Sequence, residues 1–404
     1  MMKNLIIENR MFKKHLINGL ILLPFIWLST GIYFTHNSDK TMVFMTIISI
    51  ITSLTIFKFK VVKNNFKNNR FIWLLIIILS YNLFSYFYNG ISSQEIRTLT
   101  ASILLLGCFP YNILTKKNLS ILTIIGTIFG FIGTCYFSKI LHLQRDQWPV
   151  NAIPFSTIVA TYLVFSLVLF LHTKSRKIKI TMLMMFIINI SSLILSETRG
   201  AILAASIAII FILASELNLN KINLKVVAIS IVVIFGMFFI LKKPIDQRID
   251  QTAVEYHKIE SGNLTSSVGL RLQMWEIAPK LIENNIILGL GKEHLKKLDQ
   301  LYFQGLISKQ LYEAKTPHYH NQYIDKIIKT GLIGLILFLS LLIIPVFLLR
   351  KKNIICQQLS IGIIITFSIA SLTDVPFNHG QTLFIYLLFI GFFYTSSLNK
   401  EKVK

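Results

Sequence analysis

Residues 331–349, GLIGLILFLSLLIIPVFLL, decide the fold class, because these nineteen consecutive positions carry no charged side chain. A helix of this length spans about 28 Å, which matches the hydrocarbon core of a bilayer. Apolar runs of similar length recur along the chain. We predict an all-α polytopic membrane protein with about twelve transmembrane helices, at about 16–35, 42–59, 71–88, 98–115, 119–137, 152–172, 178–195, 199–215, 224–241, 331–349, 354–373 and 380–397.

Composition supports the membrane assignment. Apolar residues make up 53% of the 404 residues, charged residues make up 15%, and the mean hydropathy is +0.63. A soluble domain of this size would need far more polar surface. No small-residue cleavage site follows the first apolar run, so we expect that run to be a retained span rather than a signal peptide.

Lysine and arginine predict the orientation. With the N-terminus in the cytoplasm, the inner segments hold 23 of these residues, whereas the short outer loops hold five. The positive-inside rule therefore places both termini in the cytoplasm. The inner segments are 1–15, 58–70, 116–117, 172–179, 216–225, 350–353 and 398–404.

The formal net charge of +23 follows from this asymmetry. It indicates topology and contact with anionic membrane lipids, and it does not indicate nucleic acid as a partner. Cys108, Cys135 and Cys356 have no redox or metal spacing, so we expect no thiol chemistry. Nothing in the sequence indicates a cofactor.

One long connection divides the chain into three parts. Residues 1–241 hold spans one to nine, 242–330 form a long outer loop, and 331–404 hold the last three spans and a cytoplasmic tail. A long loop on a compact protein is usually functional. Within it, 266–291 predicts a helix entered through Ser266 or Ser267 and ended by Gly289 and Gly291.

His318, His320 and Asn321 stand just before the apolar run 331–349. Imidazole titrates near neutral pH, so one histidine is a candidate general base. The alternative is a pair of interfacial histidines. A metal site needs three or more ligands, and no third ligand lies at an obvious spacing, so we expect no metal. Gly331 and Gly334 are expected to let the following helix pack tightly against its neighbours.

Two arginines are candidates for binding an anion. Arg199 begins the eighth predicted span on the outer side, and the small residues after it favour an orientation into a packed bundle. Arg271 lies away from much of its helix's apolar stripe and, judged alone, is expected to be solvated. Trp275 could stack on Arg271 or anchor the helix at the interface.

Three further polar residues have simpler interpretations. His294 and His257 are lone histidines in polar stretches, so surface positions are expected for both. Asp374, at the outer end of the eleventh span, is expected to cap a turn.

The histidine motif resembles that of the bacterial O-antigen ligase and polymerase superfamily of membrane glycosyltransferases. Ligase members have a histidine followed by Asn, Ser or Gln, nine residues, and Gly-x-x-Gly. Here His320 and Asn321 precede nine residues (322–330), Gly331 and Gly334. This spacing identifies His320, rather than His318, as the counterpart.

Other marks agree in order and spacing from about residue 150 to the C-terminus. Arg199 with Leu203 resembles the family's span-initial arginine, and Arg271 in GLRLQMW, before NNIILGLG, resembles its arginine and tryptophan helix. KKPIDQR after span nine and TDV at the end of span eleven are also ligase-like. The first five spans match only in number and hydropathy.

The resemblance implies a GT-C-like transferase in the bacterial inner membrane with a periplasmic active site. Such an enzyme moves a glycan en bloc from undecaprenyl diphosphate to a sugar hydroxyl of lipid A–core, completing lipopolysaccharide. Transfer is expected to be metal-independent and to invert the anomeric centre. The implied roles are general base for His320, catalysis and diphosphate binding for Arg199 and Arg271, and substrate binding for Asn321, His318 and Trp275.

Three alternatives remain. An O-antigen polymerase uses the same donor with a second lipid-linked glycan as acceptor. A protein O-oligosaccharyltransferase usually carries extra C-terminal sequence. A twelve-span transporter is weaker, because many such carriers divide six and six, with sites on broken helices near the midplane.

Overall fold

A computed structural model describes residues 2–216, 246, 249–314, 317–395 and 398. All regular elements in these ranges are helical. They are α1 (Met2–Ser29), α2 (Ser38–Asn68), α3 (Arg70–Asn89), α4 (Ser93–Cys108), α5 (Lys116–Cys135), α6 (Ala152–His172), α7 (Arg176–Leu195), α8 (Arg199–Glu216), α9 (249–260), α10 (Ser267–Ile282), α11 (His294–Phe303), α12 (Lys309–Ala314), α13 (Gln322–Leu349), α14 (Ile354–Ala370) and α15 (Gly380–Thr395).

The helices fit a polytopic membrane protein. In the described ranges, eight are long and apolar enough to cross a bilayer: α1 from Lys13, α2, α3, α5 with its extension to Ile140, α6, α7, α8 and α13. The apolar helices α14 and α15 are shorter. The predicted ninth span, 224–241, and most of KKPIDQR lie outside the described residues. The total of twelve therefore stays a prediction.

The fourth predicted span is shorter than its apolar run. The run continues to about residue 115, but α4 ends at Cys108 and Phe109 is extended. Pro110 explains the difference, because the ring of a proline disfavours helical geometry at the preceding residue. Hydropathy alone did not show this boundary.

Helix α6 lies at the centre of the bundle. Every residue from Pro154 to Leu169 is buried, as expected for a helix that is hydrophobic on all faces. Helix α15 is buried along nearly its whole length. The two helices meet through Phe165 and Phe389, whose ring centroids are 4.7 Å apart in an edge-to-face arrangement.

The long loop has a hydrophobic core of its own. Buried residues of α10, including Met274 and Leu281, pack with Leu301, Leu311 and Ile328. Helix α10 begins as predicted, because the Ser266 hydroxyl accepts a hydrogen bond from Gly269 N at 3.1 Å. It ends at Ile282, well before the predicted glycines, and 283–288 form turns.

Those turns pair with a break in α13. The helix begins at Gln322, nine residues before the predicted span, and Gly331 interrupts it with φ 66° and ψ −170°. Across the break, Leu290 N donates to Ile328 O at 2.7 Å and Leu332 N donates to Ile286 O at 2.8 Å. Gly331 does allow close packing, but it does so by opening the helix to the loop backbone.

A second glycine completes this contact. Gly289 has φ 74°, and a Cβ atom there would overlap the backbone of Lys329 and Gly331. Only glycine tolerates both the left-handed conformation and the close approach. The segment that follows Arg271 is thus fixed to the helix that follows His320.

Candidate active site

The turn before α13 places His320. The Asn321 side chain accepts hydrogen bonds from Tyr323 N at 3.0 Å and Ile324 N at 3.2 Å, which caps the helix. Gln322 N donates to Ser371 O at 2.8 Å, which ties the turn to the end of α14. His320 has φ 47°, an uncommon conformation for a non-glycine residue and one often found at functional sites.

Asp374 is the partner of His320. Its Oδ1 lies 3.2 Å from Nδ1 of His320 and 3.9 Å from Nε2 of His318. The carboxylate is buried, with Asp374 only 3% exposed. The expectation that Asp374 merely caps a turn was therefore wrong, because its side chain holds the histidine pair.

A third imidazole joins this cluster. The rings of His318 and His320 have centroids 4.4 Å apart, and His379 lies 6.4 Å from His318. Sequence reasoning missed His379. Its only signal was the segment TDVPFNHG, which carries both Asp374 and His379 within six positions.

Burial and mutual charge set the protonation of the cluster. Burial alone would raise the pKa of Asp374, but the hydrogen bond with His320 and the charges of the imidazoles bring that pKa below its usual value. Burial and the neighbouring His320 lower the pKa of His318 to about 4. Burial also lowers the pKa of His379. At neutral pH the cluster thus holds a charged carboxylate and at least two neutral imidazoles.

The remaining nitrogen of His320 is available for chemistry. With a proton on Nδ1, His320 donates to Asp374 and carries a lone pair on Nε2. Among the described residues, Nε2 of His320 has no hydrogen-bond partner. A carboxylate that fixes the tautomer of an imidazole in this way is a common arrangement for a general base.

The cluster also has the donor atoms of a metal site. One nitrogen each from His318 and His320 and an oxygen of Asp374 lie within 4.8 Å of one another. The argument that no third ligand is available was therefore wrong, since Asp374 is distant in sequence. The hydrogen bond between His320 and Asp374 accounts for the geometry without an ion.

Arg199 lies on the wall of an apolar cavity. It begins α8, and its Nη1 is 2.8 Å from Glu255 Oε2 on α9. The cavity has a volume of about 770 Å³ and includes Ile202, Leu203 and Tyr256 in its lining. We expected Arg199 to point into a packed bundle, but its side chain is 37% exposed.

The small residue after Arg199 serves a different contact. A Cβ atom on Gly200 would overlap Thr373 Oγ1. Glycine at this position lets the start of α8 approach the segment that carries Asp374. The close packing predicted for the residues after Arg199 thus occurs next to the histidine cluster.

Arg271 belongs to the same electrostatic environment. Burial lowers the pKa of its guanidinium, the carboxylates of Asp374 and Glu255 raise it, and Arg199 lowers it, with a net decrease. Arg271 is half-buried, so the expectation of a solvated arginine was wrong. Two arginines and two carboxylates therefore act on one another beside His320.

The other sequence-predicted residues support the histidine segment. Trp275 Nε1 donates to Tyr319 O at 2.9 Å, so its indole fixes the backbone between the two histidines. His294 is buried rather than on the surface, and its Nδ1 lies 2.9 Å from the Tyr319 hydroxyl. His257 is exposed, as expected, and lies 3.4 Å from Glu260.

Comparison with known proteins gives one family match, which covers part of this site. Residues 184–339 match a family model described as O-antigen ligase. The match agrees with the resemblance found in the sequence. It includes Arg199, Arg271 and His320 but ends before Asp374.

A curated relative extends the comparison without giving an activity. An uncharacterized protein of Haemophilus influenzae is 26% identical over 225 residues, which cover 54% of this chain and 53% of that protein. The chain thus spans about half the length of that relative.

Proposed function

We propose that this protein, whose residues 184–339 match the O-antigen ligase family, transfers a glycan en bloc from undecaprenyl diphosphate to a sugar hydroxyl of lipid A–core. One observation carries the proposal. An imidazole oriented by a buried carboxylate lies at the start of α13, and the same carboxylate acts electrostatically on Arg271, which in turn acts on Arg199. A base is needed to activate the acceptor hydroxyl, and cations are needed to stabilise the departing diphosphate.

His320 is the general base in this mechanism. Its Nε2 accepts the proton of the acceptor hydroxyl while Nδ1–H remains bonded to Asp374. The hydroxyl oxygen attacks the anomeric carbon, and the bond from that carbon to the diphosphate oxygen breaks. Undecaprenyl diphosphate leaves with the electron pair, and the anomeric centre is inverted. General-base assistance of this kind typically contributes about 10²–10⁴-fold.

Arg199 and Arg271 stabilise the departing diphosphate. Guanidinium groups are always charged and present paired donors that match phosphate oxygens. Arg199 forms an ion pair with Glu255, so the donor phosphate must compete with this carboxylate for the guanidinium. Preorganised charges of this kind are often the largest catalytic contribution, because they need no rearrangement as charge develops.

The cavity beside Arg199 suits the lipid part of the donor. Its lining surface is mainly apolar, and it adjoins the guanidinium that would hold the first phosphate. A polyprenyl chain needs apolar surface, and its diphosphate needs cations. Arg199 lies where these two requirements meet.

The proposed location is the bacterial inner membrane, with both termini in the cytoplasm and the site in the periplasm. The lysine and arginine asymmetry supports this orientation. Reporter fusions test it. A fusion near residue 300 should report the periplasm, and a cytoplasmic signal there would overturn the orientation.

Deletion of the gene, followed by gel analysis of lipopolysaccharide, tests the function. We expect loss of all ladder bands and accumulation of polymerised glycan on undecaprenyl diphosphate. A single repeat unit attached to core would instead identify an O-antigen polymerase, which uses the same donor. Unchanged lipopolysaccharide would contradict both activities.

A further inference from the structure

A second cavity adjoins the histidine cluster. It has a volume of about 630 Å³, within the ~300–1,000 Å³ typical of small-molecule sites. His318 and His379 form part of its wall. It shares no lining residue with the apolar cavity beside Arg199. Of the two cavities, the second is the one that has cluster histidines in its lining.

Buried ion pairs line the second cavity. Lys326 is 6% exposed, and its Nζ lies 2.8 Å and 2.6 Å from the two oxygens of Glu95. Asp325 is held by Lys329 Nζ at 2.8 Å and by Asn378 Nδ2 at 2.6 Å. Burying such pairs costs desolvation free energy, so they are weak contributors to stability. They do supply fixed donors and acceptors, which a hydroxyl-rich ligand can use together.

The cavity carries an excess of positive charge. Three lysines in its lining, Lys292, Lys326 and Lys329, outnumber the carboxylates of Glu95 and Asp325. The lining imidazoles do not add to this charge at neutral pH, because burial lowers the pKa of His294 and of His318 to about 4. One lysine charge therefore remains uncompensated.

Lys292 is the lysine without a carboxylate. Lys326 pairs with Glu95 and Lys329 pairs with Asp325, whereas no ion pair of Lys292 occurs within the part of the chain that the structure describes. The aliphatic part of Lys292 passes over Gly90, where a Cβ atom would lie 3.3 Å from Lys292 Cδ. Lys292 is also one of the residues that line the cavity.

We infer that this cavity binds the acceptor sugar and selects acceptors that carry an acidic group, a carboxylate or a phosphate, for Lys292 to bind. The inference rests on the proposed function, because it takes the ligand to be the acceptor. A sugar held against His318 and His379 would place a hydroxyl beside the cluster that contains His320. The donor's diphosphate would reach the same cluster from the side of Arg199.

Transfer kinetics test this inference. Purified protein receives saturating lipid-linked donor and three preparations of core glycolipid: intact, dephosphorylated with hydrogen fluoride, and carboxyl-reduced. Lys292→Ala should raise the acceptor KM about tenfold, with kcat and the donor KM unchanged, as expected for loss of one charge-assisted hydrogen bond. Lys292→Glu should raise it further. Lys309→Ala is the matched control, because Lys309 is exposed on α12 and pairs with Glu313 at 3.6 Å.

The modified acceptors identify the acidic group. The treatment that removes it should raise the wild-type KM as much as Lys292→Ala does, and should abolish the difference between wild type and variant. The inference is overturned if neither treatment changes the wild-type KM. It is also overturned if Lys292→Ala impairs all three acceptors equally, or if it behaves as Lys309→Ala does.

Failure of the proposed function gives a different result. In that case wild-type protein transfers glycan to none of the three preparations. Equilibrium binding of the delipidated core oligosaccharide then decides the inference separately. Weaker binding to Lys292→Ala than to Lys309→Ala supports the cavity assignment, and equal binding to both variants overturns it.

Discussion

His320 Nδ1 lies 3.2 Å from Asp374 Oδ1, although the two residues are 54 positions apart in the sequence. The contact joins the start of α13 to the segment after α14. It also assigns different roles to the two ring nitrogens, since the one that faces Asp374 cannot reach a substrate.

His320→Ala should abolish transfer while donor binding persists, because the acceptor hydroxyl loses its base. His318→Ala should keep substantial activity, since His318 contacts Asp374 only at 3.9 Å. Single-turnover transfer at equal expression and saturating donor measures these effects. An inactive His318→Ala beside an active His320→Ala would reverse the assignment.

Asp374→Asn should lower kcat by about 10²–10⁴-fold with little change in donor affinity. An amide is nearly the same size as the carboxylate, but it neither stabilises an imidazolium nor enforces the tautomer with Nδ1–H. Asp374→Glu tests whether charge alone suffices and should recover part of the activity. A kcat near the wild-type value in Asp374→Asn would remove the carboxylate from the mechanism.

Arg199→Ala and Arg271→Ala should each nearly abolish transfer in a purified assay. Arg199→Lys should also be poor, because an ammonium cannot reproduce the paired donors of a guanidinium. Lys309→Ala provides a control for loss of one positive charge elsewhere in the same loop. Full activity in either arginine-to-alanine variant would exclude that arginine from the diphosphate site.

Metal chelation should leave transfer unchanged. The proposed mechanism uses His320 as a proton acceptor, and a metal ion on Nδ1 would replace its hydrogen bond with Asp374. Activity before and after dialysis against EDTA, with and without added Zn²⁺ or Mg²⁺, is the measurement. If chelation abolishes activity and a divalent ion restores it, His318, His320 and Asp374 are instead metal ligands.

Acid should destabilise the long loop through His294. Burial lowers its pKa to about 4 in the folded protein, whereas an unfolded chain protonates near ~6.5. Between these values the unfolded state binds more protons, so each unit of pH below ~6.5 removes up to about 1.4 kcal/mol of stability. The thermal unfolding midpoint in detergent should therefore fall between pH 7 and pH 5.

A pair of variants isolates this contribution. His294→Gln has no titrating ring, so its midpoint should fall less between pH 7 and pH 5. Tyr319→Phe removes the hydrogen-bond partner of His294 but keeps the imidazole, so its pH dependence should stay close to that of the wild type. Equal slopes in wild type and His294→Gln would refute the assignment to this histidine.

Local patterns predicted what local sequence controls. Hydropathy located the long helices, and Ser266 marked the start of α10. The spacing from His320 to Gly331 could be read as a family resemblance, because these positions lie within one helix and its cap. The same local reading missed the helix end before Pro110, where a single ring overrides an apolar run.

Residues joined by the tertiary fold were not predictable in this way. Asp374 and His379 reach His320 only because the segment after α14 packs against the start of α13. His294 reads as a polar loop residue, yet the second hydrophobic core encloses it against Tyr319. The helical pattern alone predicted a solvated Arg271, whereas the fold gives it the charged neighbours Asp374, Glu255 and Arg199.

The backbone pairing at Gly331 has a consequence for the order of assembly. Residues 286–290 leave the ribosome before α13, so Leu290 N and the carbonyls of Ile286 and Ile287 meet their backbone partners only when the later helix arrives. A newly inserted α13, for its part, would satisfy its own backbone by remaining straight through Gly331. The bend at Gly331 is therefore acquired late, after both segments have crossed to the same side of the membrane. Chains that stop short of this docking step would be fully inserted and yet inactive.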